Sequence, residues 1–252
     1  TKRDEVVLTL SDVCVPTATG SRDLISHISF DLHAGEVVGI AGVEGNGQAE
    51  LIEAIMGLRE YTGQVSFRGK SVDHMSVAGR HDLGIGLIPE DRQRQALMMN
   101  SPLWENRILG HQRGKPVMRG FVVDKQATIA STKTIMEEFD VRAPSPQTLA
   151  AALSGGNQQK FIVGREMSKA PALLLASHPT RGVDVGAQAA IWDVLRQARE
   201  KGMAIVLISA DLEELIGMSD RLLVMLRGTI TAELNPATTT PEQLGSAMTG
   251  AA

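Results

Sequence analysis

Three largely apolar runs constrain this 252-residue chain more than any other feature. They are GEVVGIAG (Gly35–Gly42), PALLLAS (Pro171–Ser177) and MAIVLIS (Met203–Ser209). Each falls far short of the ~20 residues a membrane-spanning helix needs. Apolar runs of this length without polar alternation belong to strands covered on both faces, the mark of a parallel sheet. Between the second and third lies Val185 to Arg199, where Ala187, Ile191, Val194, Leu195 and Ala198 fall on one helical face. Strand, helix, strand at this separation is a βαβ unit, so the fold is predicted to be α/β with a parallel sheet at its centre.

Other segments fit around that sheet. EVVLTL alternates weakly and HISFDL strongly, with Ile28, Phe30 and Leu32 on one face; both read as strands of a half-buried antiparallel sheet. GQVSFRGK (Gly63–Lys70) is a further alternating strand, and LGIGLIPED (Leu83–Asp91) a buried strand ending at Pro89. A helix with the stripe Leu51, Ile52, Ile55 and Leu58, capped near Gly57, follows the first apolar run. From about Asp91 to Lys160 helical patterns such as Ile129, Ile135, Met136 and Phe139 predict a mostly helical lobe. RLLVMLRGTITAEL reads as a strand pair turning at Arg227–Gly228, and NPATTTPEQL as a turn opening a closing helix.

Bulk properties narrow the function classes. The composition is 43% hydrophobic and 21% charged, an ordinary globular balance. A net charge of −4 without a basic run, and only 3% aromatics, give no case for a nucleic-acid partner. The single cysteine, Cys14, excludes an internal disulfide and fits a reducing compartment. No signal-peptide pattern is read in these residues, and a start at Thr1 rather than Met is expected of a piece of a longer protein.

The chemistry begins at GVEGNGQAE, Gly42 to Glu50. Strand, then Gly42, Gly45 and Gly47, then helix is the context of a phosphate-cradling loop, in which backbone N–H groups converge on an anion at a helix N-terminus. The pattern G-x-x-x-x-G-K-[ST] asks for Lys and a hydroxyl, and this chain has Gln48 and Ala49. The N–H groups from Asn46 to Ala49 are expected to remain available to an anion. LSGGNQQK (Leu153–Lys160) is a second such terminus, with Ser154 as an added donor in front of Gly155 and Gly156. The plain alternatives are a ligand-free glycine turn and a helix cap at Ser154.

LSGGNQQK is the signature motif of ABC transporter ATPases, and in this form it resembles the ATPase subunits of bacterial importers for simple sugars and nucleosides. The resemblance covers nearly the whole chain. GEVVGIAGVEGNGQAEL looks like the Walker A strand, loop and helix. GLIPEDRQRQAL looks like the Q-loop region, with Glu90 where most members carry Gln. LLLASHPTRGVDVGA looks like Walker B and the D-loop, and IVLISADLEEL like the switch-histidine segment. The implied fold is a P-loop, RecA-like α/β core with a parallel sheet, an N-terminal antiparallel β-subdomain and an inserted helical subdomain. The implied layout is one nucleotide-binding domain over 1–252: core and β-subdomain at about 1–90 and 161–252, and the helical signature lobe at about 91–160.

The departures from that family matter most. Where Walker B ends in Asp-Glu, this chain has Ser177 and His178; where the switch histidine stands, it has Ala210. SDVCVPTATGSR lacks the aromatic that stacks on adenine. Two unit charges about 4 Å apart interact by roughly 4 kcal/mol at an effective dielectric near 20. Losing the lysine therefore removes a major favourable term, and Glu44 adds a repulsive one if it faces the same anion. Both protein ligands for Mg²⁺ are missing, and phosphoryl transfer relies on positioning and charge neutralisation. An imidazole at His178 is a conceivable base; its ordinary reading is a satisfied polar residue at a strand end.

ABC ATPases act as head-to-tail pairs with ATP between the Walker motifs of one half and the signature of the other. The resemblance thus implies the second, degenerate domain of a two-domain importer ATPase. Gly42, Gly45, Asn46, Gly47, Gln48, Ala49, Glu90 and Ser177 would form its own damaged site. Leu153, Ser154, Gly155, Gly156, Asn157, Gln158 and Asp184 would face the partner's ATP, with Mg²⁺ held in that partner site and weak or no nucleotide binding by this domain alone. Asp184 is equally placed to cap the helix at Val185, and Arg181 to be a surface charge. Trp104 is either a packing residue or a contact to the membrane partner. The implied partners are a first nucleotide-binding domain, transmembrane permease subunits and, indirectly, an extracytoplasmic solute-binding protein, at the cytoplasmic face of the membrane. A docking or regulatory module, an atypical autonomous ATPase, and a soluble ABC protein acting on ribosomes or DNA are the other classes.

Overall fold

A computed structural model of the chain describes residues 2–18, 20 and 22–251. The chain divides into two compact units. One holds the described residues up to Leu87 with Pro171–His178 and those from Val194 onward; the other holds Ile88–Ala170 and Pro179–Asp193.

The first unit opens with β1 (Val6–Pro16), β2 (Asp23–His33) and β3 (Val37–Ala41). Helix α1 (Gln48–Met56), β4 (Thr62–Phe67), β5 (Lys70–Ser71), α2 (Val77–Leu83) and β6 (Ile85–Ile88) follow. The second unit contains a π-helical turn (Arg92–Ala96), α3 (Leu103–Asn106), the short strands β7 (Met118–Arg119) and β8 (Val122–Val123), α4 (Lys125–Glu138) and α5 (Gly155–Met167). Then come β9 (Leu173–Ser177), α6 (Val185–Glu200), β10 (Ala204–Ile208), α7 (Leu212–Met218), β11 (Arg221–Leu226), β12 (Thr229–Leu234) and α8 (Pro241–Thr249). No helix among the described residues is long and apolar enough to cross a membrane.

Alternation in β1 and β2 becomes an antiparallel ladder, Leu8 opposite Leu32 and Leu10 opposite Phe30, within a four-stranded sheet ordered β2-β1-β4-β5. The continuous apolar runs become β3, β10 and β9, buried at every position, in a six-stranded sheet ordered β12-β11-β3-β10-β9-β6. These three pair in parallel, and Ile208 of β10 lies opposite both Ile40 and Ser177. That register brings the loop after β3 and His178 after β9 to one carboxyl edge of the sheet, where open α/β sheets place ligands. The core of this unit joins both sheets through Leu10, Ile28, Leu32, Ile40, Leu51, Ile55 and Val206.

Two expectations fail locally. Leu58 lies outside α1 and is 56% exposed, because Gly57 adopts a left-handed C-cap (φ 75°) that ends the helix. The strand expected to run to Lys70 stops at Phe67, since Arg68 and Gly69 both have positive φ and turn the chain into β5. The Arg227–Gly228 turn between β11 and β12 forms as expected, with φ of 50° and 81°.

Arg80 carries no apolar signal yet is among the largest fully buried side chains. Its Nη1 donates to the Ala54 and Ile55 carbonyls at the end of α1, at 2.9 and 2.8 Å, and its Nη2 to the Tyr61 hydroxyl at 3.0 Å. A cation at a helix C-terminus satisfies carbonyls that the helix leaves unpaired. Burial and a bond to Asp73 push the Tyr61 hydroxyl up to about 12. In the second unit, Gly164 of α5 lets Ile135 of α4 and Phe139, which caps that helix, approach; a Cβ there would lie 2.7 Å from each.

Candidate functional site

In the first unit, β3 delivers the chain into the glycine loop at Gly42. Asn46 locks that loop. Its amide donates to the Val43 carbonyl at 3.2 Å and its side-chain nitrogen to the same oxygen at 2.9 Å. Its Oδ1 accepts from the Arg227 amide at 2.7 Å and its carbonyl from Gly228 at 3.0 Å, tying the loop to the β11–β12 turn. The Asn46 N–H is therefore engaged inside the loop rather than available to an anion, a correction to the expectation for residues 46 to 49. The next amides begin α1, and the first turn of a helix has no intrahelical partners for them.

Gln48 is 7% exposed and folds back, its Nε2 donating to the Val43 carbonyl at 3.2 Å. A Cβ on Gly42 would lie 2.5 Å from that nitrogen, so the side chain fills the interior of the loop. Gly47 has φ 108° and sits against Ile25, 2.5 Å from where its Cβ would be. Gly45 (φ 87°) has open space around it. Packing thus demands Gly42 and Gly47 whether or not a ligand binds. No side chain from Gly42 to Ala49 carries a positive charge, and Ala49 has no ligand oxygen. From Gly42 to Ala49 the loop thus offers a Mg²⁺–triphosphate neither a cationic side chain nor a hydroxyl ligand.

Ser177 ends β9, buried at 6% exposure. His178 follows with φ 48°, its amide bonded to the Ile208 carbonyl at 2.7 Å. Its Nδ1 accepts from the Ala210 amide at 3.2 Å. A backbone N–H can only donate, so the neutral ring carries its proton on Nε2. Thr19 and Ser21 of the segment lacking an adenine-stacking aromatic lie outside the described residues.

In the second unit, Ser154 caps α5 in extended conformation and is exposed. Its Oγ accepts from the Asn157 amide at 3.4 Å and from Asn157 Nδ2 at 3.0 Å. A hydroxyl has two lone pairs and one proton. With both lone pairs engaged, the O–H is the donor the hydroxyl has left, beside the partial positive charge of the helix start. Asn157 is itself fixed, its Oδ1 accepting from the Arg142 amide at 2.8 Å. Leu153 and Gln158 are buried; Gln158 Nε2 donates to the carbonyls of Ala150 and Leu153 at 3.1 and 3.3 Å, holding the turn that presents Ser154.

Arg92, which sequence reasoning did not single out, binds this assembly together. Its Nε donates to Gln158 Oε1 at 3.3 Å, Nη1 to the Arg181 carbonyl at 2.7 Å and Nη2 to the Gly182 carbonyl at 3.4 Å. Glu90 and Arg181 form an ion pair beside it. Asp184 caps α6, its Oδ1 accepting from the Ala187 amide at 2.9 Å, and that bond holds its carboxyl below the usual carboxylate range. The two glycines of the motif have steric reasons: a Cβ on Gly155 would lie 2.6 Å from Arg92 Nη2, and one on Gly156 3.0 Å from Asp184 Oδ2. Trp104 is half-buried, its ring 4.9 Å from Lys125 Nζ, a cation–π contact. The structure thus gathers Glu90, Ser154–Gln158, Arg181 and Asp184 around Arg92.

A sequence model of the ABC transporter family matches residues 25–181. The guanosine import ATP-binding protein NupO of Bacillus subtilis is 41% identical over 97% of this chain and 48% of its own length. A glucose import ATP-binding protein of Haloferax volcanii is 39% identical over 93% of the chain and 44% of its length. The chain spans about half the length of these relatives. A solved nucleotide-free ATP-binding cassette from an ABC transporter superposes with a TM-score of 0.78 at 21% identity, covering 97% of this chain and 95% of that one, and so shares the fold with its antiparallel β-subdomain and helical insert. The expected fold class holds, and the chain belongs to the ABC transporter family.

Proposed function

We propose that this chain is the second nucleotide-binding domain of a bacterial importer ATPase for nucleosides or simple sugars. It is part of a longer two-domain chain, one domain over 1–252, whose helical signature lobe spans about 91–160. Relatives named for guanosine and glucose import, matched over about half their length, support that reading. In it, the domain's own site, Gly42 to Ala49 with Glu90 and Ser177, binds nucleotide weakly or not at all. Leu153 to Gln158 and Asp184 complete the ATP site of the first domain, where Mg²⁺ is held. Transmembrane permease subunits bind it at the cytoplasmic face of the membrane, with an extracytoplasmic solute-binding protein acting through them. Nucleoside import is favoured over sugar import.

The O–H that Ser154 has left to donate carries the proposal. A structural cap needs only an acceptor, and here both acceptor positions face Asn157 while the donor remains for an anion. In the complete two-domain protein with its permease, Ser154→Glu places a carboxylate at that donor and should abolish transport-linked ATPase; unchanged turnover refutes the proposal. Calorimetry on the present chain, with and without Mg²⁺, should show no metal-dependent ATP binding. An autonomous ATPase would instead release phosphate steadily from the isolated chain.

A further inference from the structure

On the four-stranded sheet, in the first unit, Asp12, Cys14 and His27 bring a carboxylate oxygen, a thiol sulfur and a ring nitrogen within 4.8 Å of one another. Nδ1 of His27 is 2.6 Å from Asp12 Oδ1. The His27 amide donates to Cys14 Sγ at 3.1 Å, the kind of outer contact that orients a metal-bound ligand. The side chains of His27 and Asp12 are 75% and 71% exposed, so solvent reaches the cluster from one side.

The backbone departs from regular strand geometry to make this arrangement. The β1–β2 register slips between Leu10 and Val13 and again between Val13 and Val15. Asp12 and His27 both adopt left-handed backbone, with φ of 55° and 53°. A non-glycine residue held there is strained by about 1–3 kcal/mol. Gly63 of β4 fits against the bulge so tightly that a Cβ would lie 2.2 Å from the Asp12 carbonyl oxygen. The bulge turns side chains of two neighbouring strands toward one point.

We propose that Asp12, Cys14 and His27 bind a borderline-soft divalent cation of the Zn²⁺ class. One sulfur, one nitrogen and one oxygen are the donor types such an ion takes, whereas Mg²⁺ and Ca²⁺ select all-oxygen sets. Tetrahedral coordination places donors about 3–4 Å apart, a small side-chain adjustment from the distances present here. Water from the exposed side completes the shell. The ion cross-links β1 to β2 and stabilises the sheet by mass action.

Cys14 is the only cysteine, so a sulfur-to-metal signal has one source. The reduced, metal-free chain titrated with Co²⁺ should develop a thiolate-to-cobalt charge-transfer band that saturates at equimolar ion and is displaced by Zn²⁺. Zn²⁺ should raise the unfolding temperature. Cys14→Ser should remove the band. The exposed substitutions His27→Asn and Asp12→Asn, with unchanged circular dichroism, should each weaken Co²⁺ binding at least about tenfold. Absence of the band, equal binding by the urea-unfolded chain, or wild-type affinity in both His27→Asn and Asp12→Asn overturns the assignment.

Discussion

Asn157 holds Ser154 from two directions, its amide 3.4 Å and its side-chain nitrogen 3.0 Å from Ser154 Oγ. The same hydroxyl is thus a helix cap and a directed donor, and substitution separates the two roles. Ser154→Ala removes the cap and should destabilise the chain by about 1 kcal/mol, whereas Ser154→Asp, an equally good cap, should stay within about 0.5 kcal/mol of wild type. Urea unfolding measures both.

Arg92 reaches the carbonyls of Arg181 and Gly182 with a planar fork that lysine cannot reproduce. Arg92→Lys should loosen residues 181–184 and cost about 1–2 kcal/mol. Hydrogen exchange at the Asp184 and Ala187 amides should accelerate while that of β10 amides stays unchanged.

Gly47 combines φ 108° with a Cβ position 2.5 Å from Ile25. Gly47→Ala should therefore destabilise by about 3 kcal/mol from backbone strain and overpacking. Gly45→Ala meets no neighbour within 4 Å and carries only the strain of φ 87°, so it should cost about 1 kcal/mol. Thermal unfolding without nucleotide shows both.

Glu36 is 1% exposed and accepts from the His33 amide at 2.8 Å, Arg221 Nε at 3.0 Å and Lys2 Nζ at 3.2 Å. Burial alone would raise its carboxyl, but these donors outweigh it and hold the group below the usual range. A depressed folded-state value contributes stability above the unfolded value and loses it as pH falls through the folded one. Glu36→Gln should cost about 2 kcal/mol near neutrality. The gap from wild type should shrink as pH drops from about 5 toward 3, as followed by urea midpoints across pH.

Much of this was legible in the residues. Leu173–Ser177 and Ala204–Ile208 announce buried parallel strands because a strand covered on both faces has no polar side to encode. The stripe from Ala187 to Ala198 marks α6 by period alone. LSGGNQQK identifies its family by string, and the absence of a cation between Gly42 and Ala49 is a plain reading of composition. The end of α1 was harder, since Leu58 continues the apolar stripe and only the left-handed Gly57 excludes it.

By itself, then, the sequence determined the main strands and helices, the parallel centre of the sheet and the family, because periodicity and local backbone preference act over a few residues. Only the tertiary structure decided that Gln48 folds into its own loop, that Arg92 meets carbonyls 89 and 90 positions away, and that Asp12, Cys14 and His27 converge. Those contacts depend on sheet register, a strand bulge and side-chain rotamers. Such features are set by close packing between segments distant in the chain, and no local pattern of residues encodes them.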